Sequence, residues 1–392
     1  MKRRIEKLKT TFYETILSTL SKIDYFFNKK KIQEKEIWII SETENQAQDN
    51  GYYFFKYMRE RFPEKNIYYV IGKNAPRIKD LKNLGNILYL GEYKTMLYLL
   101  GAKYILSTHG LWMLPSELGI TKKITKKMLS GKKIRLGHGI TAMKNGVAAY
   151  HKKKFLLNDF VVASSSFEKD IFINNYGYNQ NEIFVSGFPR YDDMENQIEE
   201  KIILLMPTWR DKQDNLGEQF LKTEFYLKVK SLLKNITLQE FLRKENIKLY
   251  LYLHENFQKY NEYFYEFENE EIYIVKNKEK NVKELLKMST CLISDYSSII
   301  FDFAYMDKPV ISYQFDYEDY INSRDEKPFI DIALEIPALV TRDEEEIVNF
   351  IKKLEENKFK PLKSQKDCLK KFFKYTDNKN CERLYNSILE IK

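Results

Sequence analysis

The sequence predicts an α/β protein with two doubly wound, parallel-sheet domains, and three observations predict it. Apolar runs of three to five residues recur from residue 37 onward, bounded by polar or turn residues, which is how strands buried on both faces read. Amphipathic stretches such as 52–61 and 167–175 lie between them, the alternation that builds βαβ units. A charged, polar segment near 192–201 breaks the pattern, which then restarts, so the break is read as a linker.

In chain order, the first element is a basic amphipathic helix over residues 1–33. Ile5, Leu8, Phe12, Ile16, Leu20, Ile23 and Phe27 step by three or four, and lysines and arginines cluster at both ends. An apolar stripe with basic clusters suits the surface of an anionic membrane; the alternative is a helix packed on the protein's own core. Strands are expected at 37–40, 67–71, 87–90, 104–106, 134–136, 160–163 and 183–185, giving a first domain over 34–190. A second set at 202–206, 249–253, 272–275, 291–293 and 310–313 gives a second domain over 200–365. Residues 366–392 carry apolar positions at helical spacing and are expected to pack back across the domain junction.

Composition narrows the classes. The 392 residues suffice for two domains. With 29 Tyr and 26 Phe against 14 Gly and 9 Pro, neither disorder nor a loop-rich secreted fold fits. The 3 Cys form no framework, consistent with a reducing cytoplasm. No apolar run approaches the length of a bilayer span, and charges interrupt the N-terminus too often for a signal peptide. The net charge of +9 comes from 65 Lys+Arg against 56 Asp+Glu, which permits phosphorylated substrates or anionic lipid. A binding module on nucleic acid is the competing class, but the basic residues are dispersed among acids and no nucleic-acid motif occurs.

Open α/β sheets bind ligands beyond the carboxyl ends of their strands, so polar residues just after predicted strands are the candidates. Ser297 and Ser298 sit between the run 291–293 and a helical pattern. Unpaired amides and a positive dipole at a helix start suit a phosphate or pyrophosphate; Ser297 could also be only an N-cap. His109, His138 and His254, three of 4 His, follow strands, where a near-neutral pKa suits a base. Glycines on both sides of His138 let a ligand approach the backbone. Arg210, after Pro207, Thr208 and Trp209, suits bidentate phosphate contact, or a surface pair with Asp211. Asp295 and Asp302 could orient a histidine, bind a ribose, or pair locally. No His or Cys spacing suits zinc, and neither a serine elbow nor a Gly-rich nucleotide signature is present.

Five of these segments occur in an order that resembles the CDP-glycerol glycerophosphotransferase family, which builds wall teichoic acid and related glycerol-phosphate capsules. They are Gly137-His138-Gly139, Gly187-Phe188-Pro189-Arg190, Pro207-Thr208-Trp209-Arg210, Leu253-His254 and Asp295-Tyr296-Ser297-Ser298-Ile299-Ile300-Phe301-Asp302. The resemblance implies a GT-B fold, two Rossmann-like domains facing a cleft, and metal-independent transfer of glycerol phosphate from CDP-glycerol with release of CMP. It implies His138 as base on the acceptor hydroxyl, with Gly139, Thr141 and Asn50 on the acceptor side. It places His254 and Arg210 on the donor phosphates, with Pro207, Thr208, Ser297, Ser298, Asp295 and Asp302 around the nucleotide and pyrophosphate. The implied partners are a CDP-alditol donor, a lipid-linked glycan or glycerol-phosphate acceptor, and an anionic membrane on whose cytoplasmic face the protein sits peripherally. No metal, further cofactor or nucleic acid is expected. One departure stands out: the family continues its His-Gly with Thr-Pro-Leu-Lys, whereas this chain has Ile140-Thr141-Ala142-Met143-Lys144. A ribitol-phosphate donor or a sugar-containing acceptor stays open for that reason. The alternative activity is a GT-B glycosyltransferase using a nucleotide sugar.

Overall fold

The computed structural model describes residues 2–110, 129–147, 151–152, 158–276, 279–323 and 327–391, with side chains from residue 16 onward. The chain forms two compact units. Unit 1 comprises residues 1–140, 146–193 and 374–392, and unit 2 comprises 141–145 and 194–373.

Unit 1 is built on seven strands: β1 (Trp38–Ser41), β2 (Ile67–Ile71), β3 (Ile87–Tyr89), β4 (Tyr104–Ser107), β5 (Lys132–Arg135), β6 (Phe160–Val162) and β7 (Ile183–Phe184). They pair in parallel in the order β3-β2-β1-β4-β5-β6-β7. Unit 2 contains β8 (Ile202–Leu205), β9 (Lys248–Leu251), β10 (Ile272–Ile274), β11 (Cys291–Ser294), β12 (Val310–Tyr313) and β13 (Leu339–Thr341). Their order is β10-β9-β8-β11-β12-β13, again all parallel. Each sheet reverses direction of strand addition once, between β1 and β4 in the first and between β8 and β11 in the second. These reversals are the switch points where doubly wound sheets open a crevice. The four strands beside them are buried at every residue, as expected of strands covered on both faces.

Two details differ from the sequence reading. Strand β13 was not expected: it is three residues long, at the sheet edge, and half-buried at two of them, so it lacks the apolar run that marks a central strand. The domain limits also differ, because 141–145 belong to unit 2 and the chain re-enters unit 1 after Phe373. The Phe329 N–H donates to the Ala142 carbonyl at 2.9 Å, tying 141–145 into unit 2. The helix Lys363–Phe372 therefore lies in unit 2, and the helix Asn380–Leu389 in unit 1. That last helix is docked by Asp192, whose carboxylate accepts from the backbone N–H of Asn380 at 2.8 Å and of Cys381 at 2.7 Å. A remote side chain thus satisfies the open amides of a helix start.

The first helix, Lys2–Gln33, packs through a face the stripe did not mark. Leu17 and Tyr25 lie against Met96 and Leu100, Ile32 joins Leu99 and Ala102, and Ser18 and Ser21 are buried. Gly101 permits the approach, since a Cβ there would lie 2.3 Å from Ile32 Cγ2. The predicted stripe points outward, as the membrane-surface reading requires of it: Ile16, Leu20, Ile23 and Phe27 are 41%, 48%, 50% and 77% exposed, and Phe26 beside them 78%. Ile5, Leu8 and Phe12 lie outside the described side chains.

Candidate active site

In unit 1 the site is assembled where β1, β4 and β5 end. Glu42, immediately after β1, is buried and accepts the backbone N–H groups of Gln48 (2.9 Å), Asp49 (2.8 Å) and Tyr52 (2.8 Å). It thereby fixes the loop that carries Asp49 and the first turn of the helix Asn50–Arg61. Asp49 caps that helix, its Oδ1 accepting from the Asn50 N–H at 2.8 Å. Asp49 Oδ2 faces His138 Nδ1 in a short hydrogen bond. Arg190 donates through Nη1 to Asp49 Oδ1 at 3.1 Å and to the His138 carbonyl at 2.6 Å. One arginine thus holds both the aspartate and the backbone of the histidine. The His138 side chain itself is 67% exposed, while Asp49 is 9% exposed.

Two glycines make the approach possible. Gly51 lies so close to β1 that a Cβ would sit 2.9 Å from the Ser41 carbonyl oxygen, and its N–H donates to Thr108 Oγ1 at 2.9 Å. Gly137 has φ +79° and the Phe188 ring beneath it. The His109 ring lies 4.7 Å from that of His138. His109 Nε2 is buried and has no hydrogen-bond partner among the described residues.

The charges follow from burial and neighbours. Burial works to raise the Asp49 pKa, but the Arg190 charge, then the His138 contact and the Asn50 N–H, outweigh it and hold the carboxyl below its usual range. Burial first, then the Asp49 charge, pushes Glu42 up. Burial, with the His138 and Arg135 charges adding to it and Asp49 opposing, brings His109 down to about 4. At neutral pH the cluster therefore holds an ionised Asp49 and a neutral His109.

Unit 2 repeats the topology with different chemistry. Pro207, Thr208 and Trp209 follow β8, and Asp295 to Ser298 follow β11. Arg210 is the hub. Its Nη2 donates to Asp295 Oδ2 (2.8 Å) and Asp316 Oδ1 (2.9 Å), its Nε to Asp316 Oδ2 (2.8 Å), and its Nη1 to the Thr208 carbonyl (2.6 Å). The mutually stacked rings of Tyr296 and Tyr320 lie beside the guanidinium at 5.0 and 5.5 Å. Asp295 also accepts the N–H groups of Thr208 (2.8 Å) and Tyr296 (2.7 Å). Burial works against the Arg210 charge, but Asp295 and Asp316 more than offset it.

In front of this lock, Trp209 and His254 stack at 5.8 Å with rings 16° apart. His254 is exposed, and its Nδ1 accepts from the Asn256 N–H at 3.3 Å. Thr208 Oγ1 and Trp209 Nε1 are buried without a hydrogen-bond partner among the described residues. Ser298 precedes the helix Ile299–Tyr305 and makes no capping bond through its side chain, while Ser297 Oγ accepts from Ile299 N–H only at 3.4 Å. Both half-buried hydroxyls stay available to a ligand.

The structure sorts the candidates. His138 stands exposed in the unit 1 crevice, and His254, Thr208, Ser297 and Ser298 stand together at the unit 2 strand ends. Three candidates have local partners. Arg210 donates to two buried aspartates and a carbonyl, which makes it a brace of the unit 2 loops. Asp295 pairs locally through the same bonds, one of the readings open to it. Asn50 is fully buried, donating to the Gly137 carbonyl (2.9 Å) and accepting from the Arg190 N–H (3.0 Å); it ties three segments together. Thr141 lies in unit 2, and Asp302 sits half-buried in the first turn of its helix. Asp49, Glu42 and Arg190 were missed. Only Arg190 had a signal, as the last residue of the Gly187-Phe188-Pro189-Arg190 turn.

Comparison with known proteins gives the family and the fold. The model of the family described as CDP-glycerol:poly(glycerophosphate) glycerophosphotransferase matches residues 23–390. The minor teichoic acid biosynthesis protein GgaB of Bacillus subtilis is 27% identical over 378 residues, covering 91% of this chain and 40% of that protein. The teichoic acid poly(glycerol phosphate) polymerase of the same organism is 23% identical over 413 residues, covering 99% of this chain and 53% of its own length. This chain thus spans about half, or less, of both relatives. The solved structure of the wall teichoic acid polymerase TagF superposes with a TM-score of 0.67 at 14% identity, over 98% of this chain and 97% of that one. S. aureus MnaA with UDP superposes at 0.54 and 12% identity, over 90% and 95%. These structural likenesses speak to the fold, which is GT-B-like. The family match covers nearly the whole chain and shows the family.

Proposed function

We propose that this chain, which belongs to the CDP-glycerol:poly(glycerophosphate) glycerophosphotransferase family, transfers glycerol phosphate from CDP-glycerol to a hydroxyl of a teichoic acid or capsule acceptor and releases CMP. The carrying observation is the Asp49–His138 hydrogen bond braced by Arg190. An aspartate that accepts from His138 Nδ1–H keeps the proton on Nδ1 and the lone pair on Nε2. Nε2 then takes the acceptor hydroxyl proton as the oxygen attacks the phosphorus that bears glycerol. The P–O bond to CMP breaks, and the imidazolium formed is stabilised by ionised Asp49. Such transfer relies on positioning and charge neutralisation more than on covalent catalysis.

Unit 2 supplies the donor side. The Ser297 and Ser298 hydroxyls, Thr208 Oγ1 and Trp209 Nε1 are donors lacking strong partners where β8 and β11 end, and His254 adds a group that can neutralise phosphate oxygen charge. Arg210 serves as the buried brace of that loop set. The outward row Ile16, Leu20, Ile23, Phe26 and Phe27, with Lys29, Lys30 and Lys31 exposed near it, supports peripheral attachment to an anionic membrane. Among the described residues no helix is long and apolar enough to cross one.

The test is CMP release and product mass with CDP-glycerol, CDP-ribitol and a synthetic lipid acceptor. Wild-type protein is expected to release CMP, and His138→Ala to lose about a hundredfold or more of the rate, the usual share of a general base. Thermal stabilisation by UDP and not by CDP-alditols would replace this reading with transfer of a nucleotide sugar.

A further inference from the structure

We propose that the unit 1 crevice is also a zinc-class metal site, formed by Asp49, His109 and His138, and that metal occupancy switches the base off. The three side chains offer one ligand atom each, and these atoms lie within 4.8 Å of one another. They come from positions 49, 109 and 138, so no local spacing announces them. Two imidazoles and one carboxylate form a nitrogen-rich set that prefers zinc and its neighbours to magnesium or calcium. Tetrahedral zinc at its usual ligand distances needs donor atoms about 3.3 Å apart. No pair therefore has to close by more than about 1.5 Å, a shift of the order that side-chain rotation supplies.

A second observation points to a ligand at this place. His109 Nε2 is buried with no hydrogen-bond partner among the described residues, and its ring lies beside that of His138. A buried polar atom left unpaired is costly, and a metal bond would satisfy it. Asp49 is prepared for the task. Its Oδ1 is held by the Asn50 N–H and Arg190, leaving Oδ2 on the His138 side, the outer support that ligating carboxylates receive in metal sites. With His138 67% exposed, the fourth position opens to water. The Arg190 charge tempers affinity without blocking Oδ2.

Inhibition follows from the imidazole tautomer and rests on the proposed function. As a base, His138 keeps its proton on Nδ1, bonded to Asp49, and its lone pair on Nε2. A metal on Nδ1 takes that lone pair in a dative bond and moves the ring proton to Nε2, which can then only donate. A metal on Nε2 consumes the reactive lone pair directly. Either mode leaves no base, and neither involves a redox change.

The experiment titrates the EDTA-treated 392-residue chain with Zn²⁺ by calorimetry in phosphate-free buffer, with Mg²⁺ in parallel. Co²⁺ absorption reads the ligand geometry. The expected result is one saturable Zn²⁺ per chain, reversed by EDTA and weakened at least tenfold in both His109→Ala and His109→Gln. Two variants guard against a folding defect in one, and both are checked by melting temperature. CMP release by the wild type should fall in step with zinc occupancy. Absence of saturable Zn²⁺ uptake, or wild-type affinity in both folded variants, would overturn the site. Saturable zinc binding with full turnover would overturn the switch. Zinc binding by a protein that never releases CMP would instead refute the proposed function and leave the metal site standing.

Discussion

Asp49→Asn isolates the contribution of one buried charge to catalysis. The substitution keeps the size of the side chain and an oxygen able to accept the Asn50 N–H and the Arg190 guanidinium, so the helix cap and the loop should survive. It removes two things. The first is the acceptor that holds the His138 proton on Nδ1, because the amide NH₂ favours the opposite tautomer. The second is the charge facing the imidazolium as it forms. Two unit charges about 4 Å apart at an effective dielectric of 20 interact by about 4 kcal/mol, or about a thousandfold in rate. His138 is 67% exposed, so solvent screens part of this, and a loss of about a hundredfold in CMP release is expected. Donor affinity, read by thermal shift with CDP-glycerol, should stay near wild type, since Asp49 belongs to unit 1. Because Asp49 acts through His138, the double variant with His138→Ala should be no slower than His138→Ala alone. Asp49→Asn turnover within threefold of wild type, or additive losses in the double variant, would refute the dyad.

Three further outcomes are expected. Arg210→Leu leaves Asp295 and Asp316 buried and unpaired, which should cost about 3–5 kcal/mol in urea unfolding; a loss below about 1 kcal/mol would show that the cluster is not a structural brace. Replacing Leu20, Ile23 and Phe27 together by Gln should abolish sedimentation with phosphatidylserine vesicles without lowering the melting temperature, because these side chains face outward. Deleting the whole helix would not test this, since Leu17, Tyr25 and Ile32 belong to the unit 1 core. Lys308 donates to the Leu286 and Lys287 carbonyls at 2.8 and 2.7 Å, and burial pulls its pKa down to about 7. Between pH 7 and its unfolded value the unfolded chain binds more protons, so wild-type stability should rise with pH relative to Lys308→Met, by up to about 1.4 kcal/mol per unit. A difference independent of pH over that range would contradict it.

The strands were legible because a parallel strand covered on both faces must be apolar along its length, and Ile67–Ile71 or Val310–Tyr313 can hardly read otherwise. Edge strand β13, half in solvent, escapes that constraint and escaped the reading. The amphipathic stripe of the first helix was legible and faces outward, as a stripe suited to a surface would, but the face that packs on unit 1 was not. Serines 18 and 21 and Gly101 decide the packing face, and small residues carry no signal in a hydrophobic pattern. At the site, glycine-flanked His138 and the paired serines are visible because they sit beside strand ends. Asp49 reaches His138 across 89 residues of sequence, and Arg210 meets Asp316 across 106. No local pattern reports such partners.

That distinction bears on Arg210 and Arg190, whose partners lie far away in sequence. In each unit an arginine–carboxylate lock, half-buried or buried, stands behind a solvent-facing histidine: Arg190 and Asp49 behind His138, Arg210 with Asp295 and Asp316 near His254. A buried ion pair adds little net stability compared with apolar packing, yet breaking it is costly. Its value here is geometric. Arg190 joins the cap of the first-domain helix to the His138 backbone, and Arg210 joins the loop after β8 to the loop after β11. Charged residues after strands are therefore of two kinds, and burial separates them. The enclosed ones hold the switch points open in a fixed shape, and the exposed histidines and hydroxyls are left to meet the substrate. The double variant of Asp49 and His138 tests that division in unit 1, and Arg210→Leu tests it in unit 2.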